Sequence, residues 1–252
     1  MGDQRRGSLL QIVKILLLSL NIKYSIYYYY GGFTMPDVWR HAVMSRAFAQ
    51  TGDLSSLWYK EEFFPLMHIN AVIHSILLNV DIKNALNYAV ILAFVISTIC
   101  VYLFARKYFG NKIGLLALLI INLSDYNILW GSAPQTTTFG LALYYFIIYS
   151  LSNTIEGVNA EEWLLICILF IVAMIFAHVV SSFILVTTIM LFLLGSLLYK
   201  ILYNRAATLY CVYMLTVSVT ALIGYWFSAM YRSYPIFDTL INQLAHSVSS
   251  YA

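Results

Sequence analysis

Long apolar runs alternate with short polar turns along most of this chain, and their spacing predicts helices that cross a bilayer. One crossing needs roughly 20 apolar helical residues. Runs near that length occupy Leu9 to Tyr30, Asn84 to Ala105, Ile113 to Trp130, Thr136 to Leu151 and Ala206 to Met230. Trp163 to Tyr199 is too long for one crossing and should break around His178-Val179-Val180-Ser181-Ser182. Together these give about seven spans at roughly 20 residues each. The tail from Tyr231 to Ala252 is weakly amphipathic. Lys14 and Lys23 lie in the first run, where long side chains can snorkel toward the headgroups.

One stretch breaks the oily pattern. Gly31 to Pro65 holds Asp37, Arg40, Arg46, Asp53, Lys60, Glu61 and Glu62. Pro36 and Asp37 open an amphipathic helix expected over Val38 to Gln50, closed by Gly52 at the C-cap. Trp39, Val43 and Phe48 should rest on the membrane surface, while Arg40, His41 and Arg46 face water. The segment Phe63 to Val80 is apolar but carries His68, Asn70 and His74, so a half-buried or interfacial helix is expected there. The fold class is therefore an all-α polytopic membrane bundle, residues 1–252 forming one domain. Amphipathic juxtamembrane helices fill its first outer loop, 31–83.

Composition sharpens this reading. Hydrophobic residues make up 62% of the 252 and charged residues only 10%, with a mean hydropathy of +0.80. Soluble domains carry about 25% charged residues, so this chain lacks the polar surface to sit in water. The 21 Tyr and five Trp suit the two interfaces. A net charge of +3, spread among loops, makes no nucleic-acid patch. Cys100, Cys167 and Cys211 lie apart in apolar runs and read as small core hydrophobes.

Charge also orients the chain. With the N-terminus cytoplasmic and Phe63 to Val80 not crossing, Arg5, Arg6, Arg106, Lys107, Lys112, Lys200 and Arg205 all fall inside, as the positive-inside rule asks. Arg5 and Arg6 precede an apolar run without a small-residue cleavage site, which reads as an uncleaved first span. This orientation, in a cell membrane, puts Asp37, Asp125 to Gln135, His178 and the C-terminal tail on the outer face.

Three polar features then converge there. Asp37 and His41 are four residues apart, one helical turn on the same face. Asp125 to Gln135 forms a polar cluster where a span surfaces. His178, with Ser181 and Ser182, marks another helix end. Each has a structural alternative: Asp37 as an N-cap, His41 as an interfacial polar residue, Asp125 as a snorkelling helix-end acid and His178 as a packing residue at a kink. His68 and His74 fall on opposite helix faces and are not expected to share a metal.

The Pro36-Asp37-Val38-Trp39-Arg40-His41 run resembles the first acidic motif of the GT-C superfamily of membrane glycosyltransferases, which includes protein O-mannosyltransferases, aminoarabinose transferases and oligosaccharyltransferase catalytic subunits. Phe104 to Ala117 is similar to their second-to-third span turn and Asn122 to Thr138 to their second outer loop. Phe176-Ala177-His178-Val179-Val180-Ser181-Ser182 resembles a His-containing helix start, and the likeness covers roughly residues 9 to 200. It implies transfer of a sugar from a polyprenyl-phosphate donor to a lipid, glycan or protein acceptor on the outer face, as in cell-envelope glycosylation. It implies Asp37 as general base or acceptor-orienting group. Arg40, His41, Arg46, Asp125, Gln135 and His178 would bind substrate, with Arg40 or Arg46 on the lipid phosphate. In some members acids also hold a divalent metal; the ligands of one here are left unassigned. Family members continue for several more spans, so the expectation is a fragment or truncated form, a half-module with a partner subunit supplying the missing helices, or an inactive relative. The competing reading is a non-enzymatic flippase or transporter component, or an assembly subunit. That would need charged or broken-helix positions at mid-membrane, whereas Lys23 and Asp125 fall toward span ends.

Overall fold

The computed structural model describes residues 2–33, 35–156, 159–203, 216–225 and 241. All regular elements among them are helical. The chain runs α1 (Gly2–Tyr29), α2 (Pro36–Thr51), two short 3-10 turns (Leu54–Ser56 and Tyr59–Glu62), α3 (Leu66–Leu78) and α4 (Ile82–Phe109). It continues through α5 (Asn111–Leu123), α6 (Asp125–Gly131), α7 (Thr136–Glu156), α8 (Ala160–Ala177) and α9 (Val179–Tyr203). A short apolar helix, α10, covers Thr216–Tyr225.

Among the described residues, three helical stretches are long and apolar enough to cross a membrane: Gly7–Tyr29, Ile82–Phe109 and Ala160–Ala177. The pair α5–α6 makes a fourth if its two arms, bent by 58°, form one broken span. The bend lies at Ser124, whose extended backbone (φ −66°, ψ 138°) interrupts the helical ladder. Fewer helices thus meet that test than the seven spans expected. Threonine, serine and tyrosine along α7 dilute its apolar character. The expected run Ala206 to Met230 is described only over Thr216–Tyr225, and the tail after Met230 lies outside the described residues apart from Ile241. At 13 residues, α3 is about 20 Å long, short of the roughly 30 Å apolar core.

Helix α4 is the axis of the bundle, packing on α5, α7, α3, α1 and α2. Its buried face runs through Ala85, Leu86, Ala89, Val90 and Phe94. Helices α7 and α8 pair through Ile147, Leu151, Cys167, Ile171 and Met174, all fully buried, with Phe146 and Phe170 stacked at 4.9 Å. Cys100 and Cys167 are buried free thiols, as their apolar neighbours led us to expect; Cys211 falls outside the described residues.

Lys23 corrects an expectation. It does not snorkel but lies wholly inside the bundle. Its Nζ donates to Ser19 Oγ at 2.8 Å and sits 5.6 Å from the Phe94 ring centroid. Ser19 donates to Asn122 Oδ1 at 2.6 Å, and Asn122 Nδ2 donates to Thr98 Oγ1 at 3.0 Å. The ammonium faces inward because its helix face meets α5 and α6, where this polar chain receives it. Gly131 makes the approach: a Cβ there would stand 2.5 Å from Lys23 Cε and 2.6 Å from Phe94 Cε1.

The two ends of the bundle differ. At one end Lys107 Nζ donates to Asn153 Oδ1 at 2.8 Å, and Asn111 Nδ2 donates to Ser8 Oγ at 2.9 Å. Arg106 and Lys107 also occupy the last turn of α4, where cations offset the helix dipole. At the other end Tyr27 donates to Asn84 Oδ1 at 3.0 Å, and α2 and α3 pack on each other and on α4. The loop 131–135 and the α8–α9 junction share this second end.

Candidate functional site

Local sequence sets α2. Pro36 occupies its first turn, and Gly52 closes it in the left-handed region (φ 69°), its N–H donating to Phe48 O. The N-cap is Met35, whose side chain makes no capping bond, so Asp37 is not the cap but a first-turn acid, favoured by the dipole. Successive turns stack its partners on one face. Arg40 Nη2 lies 2.6 Å from Asp37 Oδ1, and both side chains are about half exposed, at 40% and 47%. His41 Nε2 lies 3.4 Å from Asp37 Oδ2.

His41 was expected to face water. Instead it is 1% exposed, because Val38, His41, Ala42, Met44 and Ser45 form the face that α2 buries, and α3 is among the helices it packs on. The amphipathic pattern itself holds: Trp39 and Val43 stay exposed. Trp39 Nε1 donates to Phe33 O at 3.0 Å, and Lys83 Nζ sits 4.6 Å from its ring centroid.

Behind His41 the cluster continues across elements. The His41 and His68 rings are 5.3 Å apart. Ser45 Oγ lies 2.7 Å from His68 Nδ1, and His68 Nε2 lies 3.5 Å from Glu61 Oε2. Glu61 and His68 are fully buried, placed by the Tyr59–Glu62 turn and the first turns of α3 on either side of Pro65. Burial holds the His68 imidazole below the usual histidine range, an effect that Glu61 opposes. His74 points elsewhere, its Nδ1 at 2.9 Å from Asn70 O.

The other expected residues are distributed unevenly. Gln135 is buried, its Nε2 3.0 Å from Met35 Sδ, which brings the loop 131–135 to the head of α2. Arg46 is exposed; nine residues at 100° each set it half a turn from Asp37. Asp125 is exposed in the first turn of α6 and forms no salt bridge among the described residues. His178 has extended backbone (φ −162°) at the α8–α9 break, where the sequence placed it. Its Nδ1 accepts from Ser181 N–H at 3.3 Å and lies 2.9 Å from Ser181 Oγ, while Nε2 is 3.5 Å from Thr137 Oγ1. It caps α9 and ties it to α7.

Glu61, His68 and Ser45 were not among the expected site residues. Glu61 and His68 are seven residues apart, but Pro65 and a 3-10 turn lie between them, so helical spacing carries no signal. A divalent metal held by acids, as the resemblance implied, does not fit Asp37: its two oxygens face Arg40 and His41.

Residues 67–226 match the family described as dolichyl-phosphate-mannose-protein mannosyltransferase. The chain belongs to that family. The match covers more than half of the sequence, from the start of α3 through α10, and makes the chain a GT-C membrane glycosyltransferase by family. Within the mannosyltransferase-matched region lie His68, Asp125, Gln135 and His178; Asp37, Arg40, His41 and Glu61 precede it. No curated protein matches the chain.

Proposed function

We propose that this chain transfers a sugar from a polyprenyl-phosphate-linked donor to a lipid, glycan or protein acceptor on the outer face of the cell membrane, with Asp37 as general base. The observation that carries this reading is the half-exposed Asp37 carboxylate, paired with Arg40 on a helix whose exposed face holds Trp39 and Val43. Family membership supports the reaction class. The outer-face assignment draws on the basic residues gathered at the opposite end of the bundle.

In this reaction an acceptor hydroxyl attacks the anomeric carbon and gives its proton to Asp37, while the sugar–phosphate C–O bond breaks. A positioned carboxylate contributes typically 10²–10⁴-fold to such a step. Arg40 stabilises the departing lipid phosphate, for which a guanidinium suits. His41 holds the carboxylate from below. Gln135 and the head of α2 line the acceptor side.

The test is a transfer assay in membranes with a labelled polyprenyl-phosphate sugar, comparing wild type with Asp37→Asn. The variant should insert normally and lose at least 100-fold in transfer. Equal activity in the two would remove Asp37 from the reaction.

A further inference from the structure

We propose that His41, Glu61 and His68 bind a transition-metal dication of the zinc class, which clamps α2, the Tyr59–Glu62 turn and α3 together. One ligand atom from each residue lies within 4.8 Å of the other two, and all three residues are buried. In a tetrahedral zinc site with bonds of about 2.0–2.1 Å, ligand atoms stand about 3.4 Å apart. Small side-chain rotations therefore close the group around an ion.

The nitrogen accounting points the same way. His68 Nδ1 is held by Ser45, and its Nε2, turned toward Glu61, makes no hydrogen bond. His41 turns Nε2 toward Asp37, and its buried Nδ1 makes no hydrogen bond. Each ring thus has one nitrogen engaged by a polar neighbour and one buried nitrogen lacking a hydrogen bond. Metal-bound histidines show this division, the engaged nitrogen fixing tautomer and ring orientation. A buried donor or acceptor without a partner is otherwise unfavourable.

Chemistry selects the ion. Two imidazoles and one carboxylate make a common zinc set with a fourth position open. Magnesium and calcium prefer all-oxygen cages. Arg40, close enough to act on His68, directs its guanidinium to Asp37 at 2.6 Å, so its charge is offset before it meets the ion. The proposal stands apart from the transferase reading: zinc retention is measured without donor, and Asp37→Asn keeps all three ligands.

The experiment uses the full chain in detergent micelles, loaded with Zn²⁺, dialysed and assayed for metal by mass spectrometry. One zinc per chain is expected. His41→Gln and His68→Gln should each weaken zinc binding at least 100-fold, Ser45→Ala about 10-fold, and His74→Gln not at all. Pulsed electron paramagnetic resonance of Cu²⁺-loaded wild type should report two coupled imidazole nitrogens, a readout that does not depend on any variant folding. A monodisperse wild-type chain that retains no zinc overturns the proposal. So does full zinc occupancy in His68→Gln, or a copper spectrum without two imidazoles.

Discussion

The hydroxyl of Ser45 lies 2.7 Å from Nδ1 of His68, a buried bond between helices α2 and α3 that bridges 23 residues of chain. It fastens the amphipathic helix carrying Asp37 to the helix behind it. Ser45→Ala removes the partner but not the buried imidazole nitrogen. The full desolvation penalty then applies, about 1–3 kcal/mol. Thermal unfolding in detergent should show a lower midpoint for Ser45→Ala, with Thr in the same place retaining part of the loss.

Arg40 is expected to act on the donor. Arg40→Ala should raise the KM for the polyprenyl-phosphate sugar and reduce kcat, with a total loss of about 10²-fold in kcat/KM, comparable to removing one preorganised charge-stabilising donor. Arg40→Lys should recover only part of it, because an ammonium lacks the planar fork. Arg46→Ala, half a turn away, should leave transfer near wild type. A larger loss from Arg46→Ala than from Arg40→Ala would reverse this assignment.

Asn122 links three helices. It accepts from Ser19 on α1 and donates to Thr98 on α4, and Ser19 in turn receives Lys23. Interhelical hydrogen bonds within membranes contribute about 0.6–2 kcal/mol each. Asn122→Leu should therefore lower the unfolding free energy by about 1–3 kcal/mol. Asn21→Leu on α1, which takes no part in this chain, serves as the control. Steric-trap or denaturant unfolding in bicelles measures the difference.

Two glycines should respond with opposite sign. A Cβ at Gly131 meets Lys23 and Phe94 at 2.5–2.6 Å, so Gly131→Ala overpacks the junction of α1, α4 and α6 and should cost about 1–3 kcal/mol. At Gly195, inside α9, a Cβ meets nothing within 4 Å. Gly195→Ala should raise stability by up to about 1 kcal/mol through helix propensity. Melting curves of the two variants side by side test both signs.

Local chemistry made parts of this structure legible beforehand. Pro36 and Gly52 bracket α2 because ring geometry and a left-handed closing residue act within one turn. The break at His178 was readable for a similar reason, since its imidazole meets the N–H of Ser181 three residues on. What sequence could not fix was docking. The inward turn of His41 depends on α3 lying against α2, and the burial of Lys23 depends on Asn122, 99 positions away, completing a polar chain. The bend at Ser124 escaped notice because an apolar run reads the same whether straight or folded back. Glu61 and His68 stayed unjoined because a proline and a 3-10 turn erase the periodicity that pairs residues on one helix.

The polar cluster draws all its members from a window of 32 residues, Asp37 to His68, whereas the membrane core closes through contacts as distant as Asn111 with Ser8. Short loops close at little entropic cost. During synthesis the collar formed by α2, the 3-10 turns and α3 can therefore assemble while α4 and everything after it is still unmade, and later helices arrive against a platform already shaped. Damage in the second half of the chain should then leave a folded collar on an incomplete barrel of helices, rather than an unfolded protein throughout.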